Sequence, residues 1–530
     1  MIPIVIFCYY IFVEAWCLQF AVEFFSGGFR RLFAEATAPL AGAAPAVVVD
    51  AVVSKADDHF STLCGLNEHG AVFGHSTLLL SVAICFAANF YLIARGVARG
   101  IEKFCRIAMP ALILCALVIL LRVLTLPGIE SGLAFMWNPN WEALKDPDVW
   151  VAAAGQVFFS LSVGFGLVLT YASYVSQNED VVLSGLTAAG MNEFCEVVLG
   201  GMIVVPAAFL FLGASHATGG TFGLGFVTLP SIMYFMPGGH WFGGLWFGLL
   251  WLAAVTSSIS MLQPAIAFLE QGYAMNRRRS VLALSTVCVV GTVPIMWLSK
   301  GALALDTANF WVGTFLIYVA ATGQVLLFSW VLGAERGAEE ANRGSDLRVP
   351  RVFPFVIRYV TPAFLLLVFG AWLVKSAPDY LRQMTPARNG PYAARQVYRA
   401  AAVAHAAEKA GDPAIAASLT AALDDLLPDY RFHLDDVRWF GRLEERLGAE
   451  TRALGLEPEM GGWRSAQVEG AAAEARQKAK DDARLARTVF LAIFGFCFVV
   501  IWLSLRAGQR GLGGHGGSIW VHAGKGDATT

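Results

Sequence analysis

The sequence predicts an all-α polytopic membrane protein with discontinuous helices. Three observations lead there. Of its 530 residues, 57% are hydrophobic and only 15% charged, whereas a soluble domain carries about 25% charged residues. Ten apolar runs are long enough to cross a bilayer, which takes roughly 20 residues at about 1.5 Å rise each. They lie near residues 1–23, 72–94, 107–124, 149–174, 187–213, 241–269, 281–298, 309–333, 360–376 and 487–505. The fourth of these runs is apolar enough to span yet badly made as a helix.

That fourth run reads VWVAAAGQVFFSLSVGFGLVLTYASYV over residues 149–175. Ser160, Ser162, Gly164 and Gly166 fall at every second position. Glycine costs about 1 kcal/mol against alanine in a helix interior, and serine can turn its hydroxyl onto nearby backbone. In lipid, broken backbone is tolerated only where protein or a wet cavity surrounds it. The run reads either as a helix that unwinds in mid-membrane between Phe159 and Phe165, or as a small-residue packing face.

The first run holds Tyr10 and Glu14, four apart and therefore on one face. A buried tyrosine hydroxyl wants a partner, either a ligand carboxylate or a neighbouring helix. Basic residues then set the orientation. Arg95, Arg99, Lys103 and Arg106 follow the second run, Arg277 to Arg279 the sixth, Arg336 to Arg358 the eighth, and Arg506 and Arg510 the last. These sides are expected in the cytoplasm, with the C-terminus. The loops at 24–71, 125–148, 214–240 and 299–308 are expected outside.

The fifth run places Asn192 and Glu196 on one face. A carboxylate at the bilayer centre costs about 3 kcal/mol on insertion scales, so Glu196 needs a partner, water or a proton. In the sixth run Ala253, Thr256, Ser257 and Ser258 precede Gln263. Hydroxyls and freed carbonyls are the oxygen ligands that hard cations take. The same triplet also suits a packing face.

Residues 377–486 break the membrane pattern. They are polar and alanine-rich, and Trp439, Phe440, Leu443 and Leu447 fall on one helical stripe. A helical module between the last two spans is expected there, with Gly411–Pro413 and Pro428 ending helices. From Gly511 the tail reads as disordered. A net charge of −2 offers nucleic acid nothing, and nine scattered cysteines without a CxxC pair suggest neither a disulfide framework nor a zinc site. No GxSxG, HExxH or P-loop pattern stands in a sensible context, so no enzyme is expected.

Taken together the residues resemble the neurotransmitter:sodium symporter family, in its bacterial amino-acid branch. The resemblance rests on YYIFVEAW at 9–16, RGIEKFCRIAMPALILCALVILLRV at 99–123, LKDPDVWVAAAGQVFFSLSVGFG at 144–166 and YASYVSQNEDVVLSGLTAAGMNEFCEVVLGG at 171–201. It continues in GLGFVTLP at 223–230, TSSISMLQPAIAFLE at 256–270 and RVPRVFPFVIRYVTPAF at 348–364. It covers about residues 1–376 and the last span.

The resemblance implies an inverted-repeat transporter fold of twelve spans with a midplane site between broken helices. About ten of the twelve are expected here, beginning at the third. Residues 1–376 would form the core, 377–486 an outer-loop insert, 487–506 the last helix and 507–530 a cytoplasmic tail. The implied function is sodium-coupled symport of a neutral amino acid, or a related small amine, across the plasma membrane. The alternative is a non-transporting, truncated relative that binds or regulates. Tyr10 would hold the substrate carboxylate. Ile6, Phe159, Ser162, Phe165 and Met261 would line the pocket, bordered by Ser160 and Ser257.

Sodium is the implied cofactor. Ser160 and Asn192 would form a first site, and Ala253, Thr256 and Ser257 a second. Both are expected to be incomplete, because the family's first helix has no counterpart here; the chain as it stands is then not expected to transport. Glu196 stands where chloride-dependent members have a chloride ligand, so its charge would replace the anion. Asn309 takes the place of an outer-gate aspartate, with Asp306 one turn earlier as a substitute. An amino acid, membrane lipid and a second copy in a homodimer are the implied partners, with no nucleic acid.

Overall fold

The computed structural model describes residues 1–63, 76–176, 178–213, 221–298, 302–410 and 465–514, with isolated positions between 411 and 464. Among the described residues the regular structure is helical throughout. Among the described residues nine helices are long and apolar enough to cross a membrane. The run at 149–174 is not among those nine, because it is split into two short helices.

The first helix, α1 (Ile2–Phe25), is apolar on every side and by far the most buried of the spans. A helix hydrophobic all round belongs inside a bundle. It packs most extensively against α11, introduced below, and also against α4 and α12. Between residues 26 and 63 the chain is not an open loop. It folds into α2 (Gly28–Thr37) and α3 (Pro45–Leu63), because Phe29, Phe33, Val52, Ala56 and Phe60 supply buried faces. Phe24 stacks on Phe29 with ring centroids 4.4 Å apart, Trp16 meets Phe60 edge-on at 5.2 Å, and Phe60 stacks on Phe226 at 5.3 Å. Each such pair adds about 0.5–1.5 kcal/mol beyond its buried area.

Next come α4 (Ser76–Ala94), α5 (Arg99–Leu124) and the short α6 (Ile129–Trp137). The broken run supplies α7 (Pro147–Ser160) and α8 (Leu167–Ala172). Then α9 (Val181–Leu212) runs continuously, with a π-helical stretch at Phe194–Gly201. The short α10 (Leu224–Phe235) precedes α11 (Gly239–Gly272), α12 (Arg277–Trp297), α13 (Leu303–Ala341) and α14 (Val352–Lys375).

A second compact unit comprises Trp372–Leu491. It contains α15 (Ala377–Gln383), α16 (Pro386–Ala410) and the first part of α17 (Ala466–Gly514). Its core gathers Ala394, Tyr398, Ala402, Leu419, Leu423, Trp439, Leu443, Leu447 and Ala472. Three of the four residues expected in one stripe are therefore buried together, while Phe440, Gly411–Pro413 and Pro428 lie outside the described residues. So does the tail beyond Gly514.

At the start of α9, Asp180 Oδ1 accepts the Leu183 amide at 2.8 Å, and Oδ2 accepts the Asp346 amide at 3.0 Å. These bonds, the Leu183 one foremost, hold the carboxyl below its usual 3.8. A depressed carboxylate contributes stability that is present above the unfolded value and lost as pH falls through the folded one. Below pH 3.8 the Leu183 amide should therefore exchange faster, and Asp180→Asn, which keeps a capping acceptor without the charge, should flatten that dependence in hydrogen exchange.

Candidate functional site

The helix α7 stops at Ser160 and α8 begins at Leu167, so the break falls where the serines and glycines alternate. The regular ladder is replaced there. Leu161 N bonds Val157 O at 3.1 Å, Ser162 N turns back to Phe159 O at 3.1 Å, and Val163 N reaches Phe158 O at 2.9 Å. Ser162, Gly164 and Gly166 all take positive φ, of 55°, 86° and 79°. Glycine adopts such angles without penalty, and Ser162 is the one residue of the three that is strained.

At Gly164 a second reason applies. A Cβ there would lie 2.8 Å from the Ile317 carbonyl and 3.1 Å from the Ala321 amide of α13. The break is thus pressed against a neighbouring helix rather than facing lipid. Phe159 and Phe165 bracket it, edge to face, with centroids 5.7 Å apart; Phe165 is buried and Phe159 half-buried.

The end of α7 faces α9. Asn192 Nδ2 donates to Ser160 Oγ at 3.1 Å. One turn away, Gln156 Nε2 donates to Glu196 Oε1. The two pairs repeat at i, i+4 on both helices. The π-helical stretch of α9 opens at Phe194, between its two polar residues, and such bulges recur at functional sites. The partner that Glu196 requires is thus Gln156, which sequence reasoning passed over; its place four residues before Ser160 was the available signal.

The second group lies on α1 and α11. The Tyr10 side chain on α1 lies beside that of Ser257 on α11. The Thr256 hydroxyl donates to the Ala253 carbonyl at 2.8 Å. Ile6 and Met261 are buried nearby on the same two helices. Ser257 is exposed, so its hydroxyl borders open space. Among the described residues no direct hydrogen bond joins this group to the Ser160–Asn192 pair.

Together the two groups offer neutral oxygen donors: the Asn192 amide, four hydroxyls and a main-chain carbonyl. That donor set fits a monovalent hard cation and not a transition metal. Beyond them, Gln263 Nε2 donates to Tyr174 Oη at 3.0 Å, and Arg277 donates to Gln263 Oε1 at 3.1 Å and to the Ile93 carbonyl at 2.7 Å. These bonds tie α11 to the segment after α8. Asn309 accepts the Tyr9 hydroxyl at 3.0 Å. Asp306 is exposed, and no ion pair reaches it among the described residues. Tyr9 escaped the sequence reading because it sits directly before the more telling Tyr10.

A family profile described as the Sodium:neurotransmitter symporter family matches residues 1–390. The chain belongs to this family. Its relatives include an uncharacterized sodium-dependent transporter of Methanocaldococcus jannaschii, 26% identical over 55% of this chain and 60% of that one. Another, from Haemophilus influenzae, is 28% identical over 53% of this chain and 62% of that one. The sodium-dependent serotonin transporter of Drosophila melanogaster is 24% identical over 58% of this chain and 50% of its own length. The chain therefore spans about 60% of the length of the first two.

Among solved structures, MhsT in complex with L-phenylalanine matches with a TM-score of 0.57 and 26% identity, covering 70% of this chain and 79% of that one. The symporter family is one of transporters, and the split helix, the long α9 and the polar stretch of α11 all lie within its matched region.

Two outcomes follow for this site. Gly164→Ala should lower the melting temperature more than Gly166→Ala. Both pay roughly 1–2 kcal/mol for a left-handed L-residue, but a Cβ at Gly166 meets nothing within 4 Å. A double-mutant cycle on Ser160→Ala and Asn192→Ala should give a coupling of about 1 kcal/mol, the net worth of a hydrogen bond; a coupling near zero in detergent melts would show that the pair contributes nothing.

Proposed function

We propose that this chain forms the core of a sodium-coupled symporter for a neutral amino acid, working by alternating access in the plasma membrane with its C-terminus in the cytoplasm. The observation that carries the reading is the Asn192–Ser160 bond at the end of a helix that breaks in mid-membrane. Two residues 32 apart in sequence supply amide and hydroxyl oxygens beside freed backbone, as a dehydrated sodium ion requires.

Asn192 and Ser160 would hold one sodium ion. The Ala253 carbonyl, Thr256 and Ser257 would hold a second. Each ion would supply positive charge without a proton to titrate. Tyr10 would take the substrate carboxylate through its hydroxyl. Phe159 and Phe165 would cover the substrate, with Ile6, Ser162 and Met261 along its side chain. Apolar lining favours a neutral side chain over a charged one.

Glu196 would place a negative charge, held by Gln156, next to the first ion. Ion and substrate that share a site raise each other's affinity by the same factor. The bond of Gln263 to Tyr174 would hold the inner side shut. The basic residues after α4, α11 and α13 support the orientation. The L-phenylalanine bound to the related MhsT supports the substrate class.

The test is uptake of labelled neutral amino acids, with and without a sodium gradient, into proteoliposomes holding this chain with the first two spans of a family relative fused ahead of it. Uptake should follow the gradient. Asn192→Ala and Thr256→Ala should each weaken sodium activation about tenfold, which is 1.4 kcal/mol. Amino-acid binding that ignores sodium would sink the proposal and favour a relative that binds without transporting.

A further inference from the structure

A second buried carboxylate lies away from the break. Glu14, one turn beyond Tyr10 on α1, is wholly buried. It meets two other helices. Asn89 of α4 places Nδ2 2.9 Å from Oε1 and 3.1 Å from Oε2. Ser258 of α11 places Oγ 2.7 Å from Oε2. The same Ser258 Oγ lies 2.7 Å from Asn89 Oδ1. The thiol of Cys85 on α4 also faces the carboxyl, with Tyr10 and Cys17 the titratable neighbours on α1. None of these groups is cationic.

The protons in this cluster can be counted. Asn89 Nδ2 also donates to the Cys85 carbonyl at 2.9 Å. A carbonyl oxygen only accepts, so turning the amide over would set two acceptors against each other. The amide orientation is therefore decided, and Oδ1 faces Ser258. At 2.7 Å that contact needs a proton between the oxygens, and it can come only from the Ser258 hydroxyl. Ser258 has one proton. Its equally short contact with Glu14 Oε2 needs another, which only Glu14 can supply. The Ala254 and Val255 carbonyls, 2.9 and 3.1 Å from Ser258 Oγ, are acceptors too and add to the shortage of donors.

We propose that Glu14 is a proton-binding site, its carboxyl held as the neutral acid between α1, α4 and α11. Its O–H donates to Ser258, and Ser258 donates in turn to Asn89 Oδ1. Loss of the proton breaks that O–H bond and delivers H⁺ to water. It leaves a carboxylate inside the bundle with no cationic side chain beside it among the described residues, an expensive state at membrane depth. Ser258 would then turn to Oε2, and Asn89 Oδ1 would lose its donor, so the link between α11 and α4 would go with the proton. The site is separate from Glu196, whose partner is Gln156 of α7, and it does not depend on the symport reading.

Infrared spectroscopy of the purified full chain at neutral pH tests this directly. A neutral carboxylic acid shows a C=O stretch distinct from the carboxylate bands. Wild type should show this band. Glu14→Gln should lose it, and Glu196→Gln should not. Glutamine reproduces the neutral acid's pattern, with its NH2 donating to Ser258 and its oxygen accepting from Asn89. Glu14→Gln should therefore keep the wild-type melting temperature, while Glu14→Ala should melt several degrees lower. An acid band unchanged by Glu14→Gln, a carboxylate band lost in its place, or a Glu14→Gln chain that fails to fold would each overturn the proposal. No transport is measured, so failure of sodium uptake leaves this result standing on its own.

Discussion

The constraint on which the rest depends is that backbone polar groups inside a membrane must be satisfied within the protein. Breaking a helix at Ser160–Gly166 frees several of them at once. The chain tolerates the break because protein surrounds it. Gly164 lies against the backbone of α13, Phe159 and Phe165 cover its two ends, and Asn192 reaches the last hydroxyl of α7. The α13 backbone and Asn192 come from other parts of the sequence. The same opening that has to be enclosed also exposes oxygen atoms to whatever binds there, so the stability of the break and the chemistry of the site are one problem.

A second economy follows from the burial of α1. A helix surrounded by other helices can place polar groups only where a partner waits. Tyr9 meets Asn309, Tyr10 meets Ser257, Glu14 meets Asn89 and Ser258, and Gln19 meets Ser81. The polar residues of α1 thus bind it in turn to α13, α11 and α4. In water such bonds would be nearly neutral exchanges. Among apolar side chains an unmet partner is costly, which makes each pairing a constraint on how the helices register.

Much of this was legible in the sequence. The membrane class, the poorly made run at 149–175 and the shared face of Asn192 and Glu196 followed from composition and spacing, while whether that run breaks or packs stayed open. The helices between Gly28 and Leu63 were not legible, because their apolar residues look sparse until Phe60 is seen to close on Trp16 and Phe226, Phe29 on Phe20, and Phe33 on Tyr234. Gln156, Asn89 and Ser258 were also passed over as partners. A lone amide or hydroxyl in an apolar run reads as helix–helix glue, and its significance depends on which carboxylate stands opposite.

The sequence by itself determined that the chain is a helical membrane protein and which of its runs is poorly made as a helix, because those are properties of consecutive residues: hydrophobic length, glycine spacing and charge between runs. Only the tertiary structure decided that Ser160 belongs with Asn192, Gln156 with Glu196, and Glu14 with Asn89 and Ser258. Those pairings join positions up to 244 residues apart. No local pattern encodes them, since each depends on which helix faces come together, and the bundle settles that by packing its apolar faces and meeting every buried donor and acceptor at once.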